Sequence, residues 1–183
     1  RGLGDVYKRQ EYLLVDGYNI IFAWDDLNEL AKYNIESARG KLMDILSNYQ
    51  GYKKMTLILV FDAYKVKGNQ GEVGMYHNIH VVYTKEAETA DQYIEKVVHQ
   101  IGRKYHVTVV TSDGVEQVVT LGQGGTLISA REFREDVKIM EQQLREEYLE
   151  RHGSSRNFLF DHLDEELAAH MEDVRLGRKD LEN

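Results

Sequence analysis

The chain has no cysteine and no proline among its 183 residues, and a single tryptophan, Trp24. Without cysteine there is no disulfide, no thiolate nucleophile and no cysteine-bound zinc, so any metal must bind oxygen or histidine. The same absence fits a reducing cytosol. Without proline, glycine and asparagine must supply the turns. No apolar run approaches the roughly 20 residues of a membrane-spanning helix, so no membrane segment is expected. A basic excess is missing too: the formal net charge is −8, which at first argues against a polyanionic partner. Its distribution weakens that objection, because residues 161–183 carry eight acidic and three basic residues and so supply −5 of the −8. HExxH, GxSxG and the GK[ST] ending of a P-loop are all absent.

The length suits one domain with a sizeable core and a small appendage. Residues 1–10, RGLGDVYKRQ, have no initiator methionine and no apolar signal-peptide core; they read as a non-native or disordered leader. The folded domain is expected over residues 11–152, with a linker and an acidic amphipathic helix over 153–183. Apolar runs enriched in β-branched residues predict strands at Tyr12–Val15, Thr56–Phe61, Ile79–Tyr83 and Val107–Thr111, with a weaker one at Thr126–Ser129. Helical spacing fills the intervals, with Ile35, Ala38, Leu42, Ile45, Leu46 and Tyr49 before the second strand and Ala90, Ile94, Val97, Val98, Ile101 and Tyr105 before the fourth. TADQ, Thr89–Gln92, has the form of a capping box and places Asp91 in a first helical turn. DGVE, Asp113–Glu116, is expected to open a further short helix. A long helix is predicted from Ala130 to His152, broken by GSSRN and followed by a last amphipathic segment. Strands interleaved with helices predict an α/β fold, three-layered, with a mostly parallel central sheet and C-terminal helices.

Three predicted core strands run into an aspartate: LLVD at Asp16, LVFD at Asp62 and VTSD at Asp113. Asp91 and Glu88 sit where a helix begins after the third strand. Loops and helix starts converge on the C-terminal edge of a parallel sheet, so the carboxylates are expected to crowd one rim. Two like charges about 4 Å apart repel by roughly 4 kcal/mol at an effective dielectric near 20. A hard divalent cation relieves this, and Mg²⁺ or Mn²⁺ accepts a few carboxylates with water and phosphate oxygens. The plainer reading is that each aspartate is a turn or cap residue. Turn chemistry alone has no reason to choose aspartate three times. Asn19 reads as a loop residue or as a neutral partner orienting Asp16 or a metal-bound water.

The set LLVDGYN, VFDAY, TKEAETAD and TSDGVEQ, followed by GQGG and SAREF, resembles the YacP-like branch of NYN domains, which are PIN-like nucleases. The resemblance runs from about Glu11 to the C terminus. It implies that Asp16, Asp62, Asp91 and Asp113 form an acidic Mg²⁺- or Mn²⁺-binding constellation beside Asn19, with Glu88 as a further ligand or a neighbour of the ligands. It also implies metal-dependent hydrolysis of RNA phosphodiesters by an endoribonuclease, with mRNA cut on translating ribosomes in the cytoplasm.

RNA must then be held beside an acidic site. Lys65, Lys67 and Lys85 follow the second and third strands and are candidate phosphate contacts, with Tyr64 or Tyr76 as a stacking face; plain solvation of exposed lysines is the alternative. The segment Lys67–Gly74 reads as a loop. GQGG, Gly122–Gly125, reads as the turn after a helix, HNIH as incidental strand and loop, Ser112 as a cap, and Trp24 as an anchor for the loop after DGYN. Two other functions fit the same residues: a non-catalytic ribosome or RNA adaptor, and a receiver-like protein with an aspartyl-phosphate intermediate.

Overall fold

The computed structural model describes residues 10–63, 68, 71–112, 114 and 125–175. Strand β1 (Glu11–Asp16) leads directly into three helices, α1 (Gly17–Ala23), α2 (Asp25–Tyr33) and α3 (Ile35–Lys53). Strand β2 (Thr56–Phe61) is followed by the hairpin of β3 (Val73–Tyr76) and β4 (Ile79–Tyr83), then α4 (Ala90–Ile101), β5 (His106–Val110), β6 (Thr126–Ile128) and α5 (Ala130–Arg175). The sheet has the order β3-β4-β2-β1-β5-β6, and only the β3–β4 pair is antiparallel. The expected α/β architecture with a mostly parallel sheet is therefore present. Contacts divide the chain into two compact units, Arg1–Lys138 and Ile139–Asn183.

In the first unit the strands are apolar on both faces, as a sheet covered on both sides requires. Alternate residues Leu14, Val60, Val82, Val107 and Val109 pack with Ala90, Ile94 and Val98 of α4. Leu13, Val15, Leu59 and Phe61 are equally buried and alternate to the opposite face. That side holds an aromatic cluster in which Phe133 of α5 meets Tyr49 of α3 edge-on at 5.1 Å and Trp24 at 5.8 Å. Each fully buried side chain of this size contributes about 1.5–3 kcal/mol.

The caps are specific. Asn34 starts α3 by accepting from the Glu36 and Ser37 amides at 3.0 and 3.3 Å. The box predicted at TADQ is formed: Thr89 Oγ1 accepts from the Gln92 amide at 3.2 Å, and Gln92 Oε1 accepts from the Thr89 amide at 3.0 Å. Thr89→Ala should lower stability by about 1 kcal/mol, seen as a fall of roughly 2–4 °C in the thermal midpoint; an unchanged midpoint would show that the box contributes nothing.

Three expectations are corrected. The stretch after Asp16 is helical rather than a loop, and Trp24 sits at the junction of α1 and α2. Part of the expected loop Lys67–Gly74 belongs to β3, whose partner β4 returns through a tight turn at His77 and Asn78; Asn78 Nδ2 donates to the Ser47 carbonyl at 2.9 Å. GSSRN does not break the last helix, which runs continuously from Ala130 to Arg175. An interior glycine costs a helix only about 1 kcal/mol, and no proline is present to interrupt the hydrogen bonds. In the second unit this helix carries Tyr148, Leu149, Leu167 and Met171 exposed, and the Tyr148 ring stacks on His152. The short helix expected at Asp113 lies outside the described residues.

Candidate active site

Because β1, β2, β4, β5 and β6 run parallel, they all end at one edge of the sheet. After β1 the chain builds outward through β2 and β4, then returns to the other side of β1 to lay down β5 and β6. The gap between the ends of β1 and β5 is thus the point where the winding reverses, the usual ligand site of an open α/β sheet.

Asp16 is the last residue of β1 and only 6% exposed. Its carboxylate caps α1, with Oδ1 3.4 Å from the Asn19 amide. Gly17 allows the next step: a Cβ there would lie 2.4 Å from Phe61 Cε1 and 3.0 Å from the Val60 carbonyl. The glycine is required for close approach to β2, not for a turn. The Asn19 side chain then crosses the reversal point, its Oδ1 accepting from the Ser112 amide at 2.8 Å just beyond β5. Ser112 Oγ accepts in turn from the Ala130 amide at 3.2 Å, and the Ala130 carbonyl accepts from Trp24 Nε1 at 2.9 Å. Trp24 anchors its segment, as expected.

Asp62 follows the end of β2 and accepts from the Ala90 amide at 2.7 Å through Oδ1. This bond ties the strand end to the start of α4 and brings Asp91, the next residue along, into the same neighbourhood. Buried Thr84 reinforces the junction: its Oγ1 accepts from the Ala63 amide at 3.0 Å and donates to the Glu88 carbonyl at 2.7 Å. Glu88 is half-buried and its carboxylate pairs with Lys96 at 3.0 Å, so a local cation already offsets its charge. Asp113 lies outside the described residues, although Ser112, which precedes it, is placed by Asn19. Lys85 is exposed just past β4, while Lys65, Lys67 and Tyr64 fall outside the described residues. Tyr76 is not at this edge. Because β3 is antiparallel, Tyr76 pairs with Ile79 at the start of β4, and its hydroxyl donates to Asp44, so the stacking role considered for it does not apply.

Arg39 of α3 is a feature the sequence reading passed over. Its guanidinium is buried and donates to the Tyr18 hydroxyl at 3.1 Å, with Glu36 3.8 Å away. Burial pushes the Tyr18 hydroxyl up, and Arg39 partly offsets this; Tyr83, at the end of β4, is shifted up by burial in the same way and feels Arg39 too. Asp16 and Arg39 are the buried charged residues among those described. A signal was available, since Arg39 falls in register with Ile35, Leu42 and Leu46 on the buried face of α3.

Among the described residues, no three histidine, aspartate or glutamate side chains stand close enough together to hold a metal ion. The side-chain oxygen donors spaced along this edge include the carboxylates of Asp16 and Asp62, and the chain has no cysteine. That chemistry suits hard cations such as Mg²⁺ or Mn²⁺.

The profile of the YacP-like NYN domain matches residues 13–176. The chain belongs to the YacP-like NYN domain family. It is 40% identical over 135 residues to the uncharacterized protein YacP of Bacillus subtilis, a match spanning 73% of this chain and 79% of that one. The crystal structure of Rae1 (YacP) from Bacillus subtilis superposes with a TM-score of 0.68 at 37% identity, covering 91% of this chain and 95% of the other. The crystal structure of a tryptophan-to-leucine mutant of that same protein matches with a TM-score of 0.66, over 75% and 80% of the two chains. The fold of this NYN domain is accordingly that of the PIN-like nucleases, and among the described residues no helix is long and apolar enough to cross a membrane.

Proposed function

We propose that this NYN domain is a divalent-metal-dependent endoribonuclease that hydrolyses RNA phosphodiester bonds. The observation that carries the reading is the Asn19–Ser112 hydrogen bond across the reversal point of the sheet, with Asp16 on one side of it and Asp62, fastened beside Asp91, along the same edge. Asp16, Asp62, Asp91 and Asp113 would hold Mg²⁺ or Mn²⁺, with Glu88 at the margin. When bound, such an ion acidifies water and neutralises charge developing on the phosphate. The protein's own part is positioning. Asp16 and Asp62 are held by the amides they cap, Asn19 holds the segment leading to Asp113, and Lys65, Lys67 and Lys85 are the candidates to receive flanking phosphates. Family membership supports mRNA on translating ribosomes as the substrate and the cytoplasm as the compartment.

Purified protein should cleave mRNA with Mg²⁺ or Mn²⁺ and stop with EDTA, and Asp91→Asn should slow the reaction by about 100-fold or more. Comparing the same mRNA free and under translation in a purified system tests the ribosome's part. Metal-independent cleavage, full activity in Asp91→Asn, or no cleavage in either setting would overturn the reading.

A further inference from the structure

We infer a second, phosphate-binding subsite beside the reaction centre, in a cavity of about 490 Å³ between the α1–α2 junction and the first turns of α5. The inference rests on the nuclease reading above and names where the RNA backbone goes as it leaves that site. Arg131, Arg134 and Lys138 recur at helical spacing along α5 and all line this cavity, whose floor includes Trp24. Its wall reaches Ser112, and Ser112 is linked through Asn19 to Asp16 by two successive hydrogen bonds. The cavity therefore opens next to the acidic edge.

Two observations point to a ligand there. Arg134 is fixed by Asp26 at 2.8 Å and lies 4.5 Å over the Trp24 ring, yet its Nη1 is buried and without a hydrogen-bond acceptor. A buried N–H left without an acceptor is costly, so a turn of the guanidinium that brought it to an oxygen in the cavity would relieve that cost. Arg131 and Lys138 are exposed and make no ion pair among the described residues. The ligand chemistry follows from the balance of charge. Asp25, Asp26 and Glu135 also line the cavity, with Asp26 taken up by Arg134, so its charge is balanced three against three and it is no broad polyanion patch. Two uncommitted cations beside an unfilled guanidinium donor suit one phosphodiester group. A phosphate held here offsets the repulsion an RNA meets at a rim of carboxylates, in a protein of net charge −8.

The test is binding of a fluorescein-labelled single-stranded 12-nucleotide RNA to the full chain in EDTA, so that nothing is cleaved, measured by anisotropy across a salt series. Arg131→Ala/Lys138→Ala should weaken binding by about fivefold at low salt. It should also flatten the slope of log affinity against log salt by about 0.7, the contribution of one phosphate on a single strand. Lys104→Ala, which follows α4 and precedes β5 at the opposite edge, should change neither. An unchanged slope and affinity in the double variant overturns the subsite, as does a failure of the wild-type chain to bind this RNA. RNA binding that responds to the double variant, in a protein that never cleaves, keeps the subsite and removes the nuclease reading alone.

Discussion

Asp16→Asn should abolish most RNA cleavage, by about 100-fold or more, equivalent to at least ~2.7 kcal/mol of barrier, while leaving the fold intact. The separation is possible because asparagine caps a helix about as well as aspartate. The bond from the Asn19 amide can persist and α1 can start at the same residue. What disappears is the negative charge on a side chain that is nearly excluded from water, and with it, on the proposed function, one hard ligand for a divalent cation. Thermal unfolding without metal should stay within about 1 kcal/mol of wild type, while cleavage with Mn²⁺ falls. A variant that unfolds early would make Asp16 a structural cap, and one that cleaves normally would remove it from the site.

Gly17→Ala should do the reverse, damaging the fold first. The added methyl would meet Phe61 Cε1 at 2.4 Å and the Val60 carbonyl at 3.0 Å. The ring has little room to yield, being packed against Tyr18 at 5.1 Å and stacked with Tyr83 at 5.7 Å. Overpacking of this kind costs typically about 1–3 kcal/mol. Because a backbone carbonyl is among the clashing atoms, the upper part of that range is expected, a fall of roughly 6–12 °C at 2–4 °C per kcal/mol. Relief by shifting β1 away from β2 would carry Asp16 with it, so residual activity should drop further than the unfolded fraction explains. A variant with wild-type melting would show that the two strands separate easily here.

Much of this was legible in the chain, for identifiable reasons. Thr56–Phe61 and Ile79–Tyr83 are strands over the expected residues because continuous β-branched runs suit a sheet buried on both faces. The Thr89 box was readable because it is local chemistry. Strand β3 was not, since Val-Gly-Met-Tyr is short, holds a glycine and lies at an exposed edge where no burial pattern develops. Helix α1 was hidden because Asp16, Gly17 and Asn19 are also good turn formers. Of the site, the carboxylates at strand ends could be picked out one by one. The crossing from Asn19 to Ser112 could not, because it joins residues 93 apart. Arg39 was missed because a charged residue on a helix ordinarily faces solvent.

The three bonds that fasten the rim, Asp62 to Ala90, Thr84 to Ala63 and Asn19 to Ser112, each take a side chain from one segment and an amide from another, 28, 21 and 93 residues away. In kinetic terms these three points cannot open by the independent flutter of a loop. Exposing any of these amides to exchange means parting segments that the β-sheet holds together, so these anchoring points of the candidate site open with the slow, cooperative breathing of the domain core.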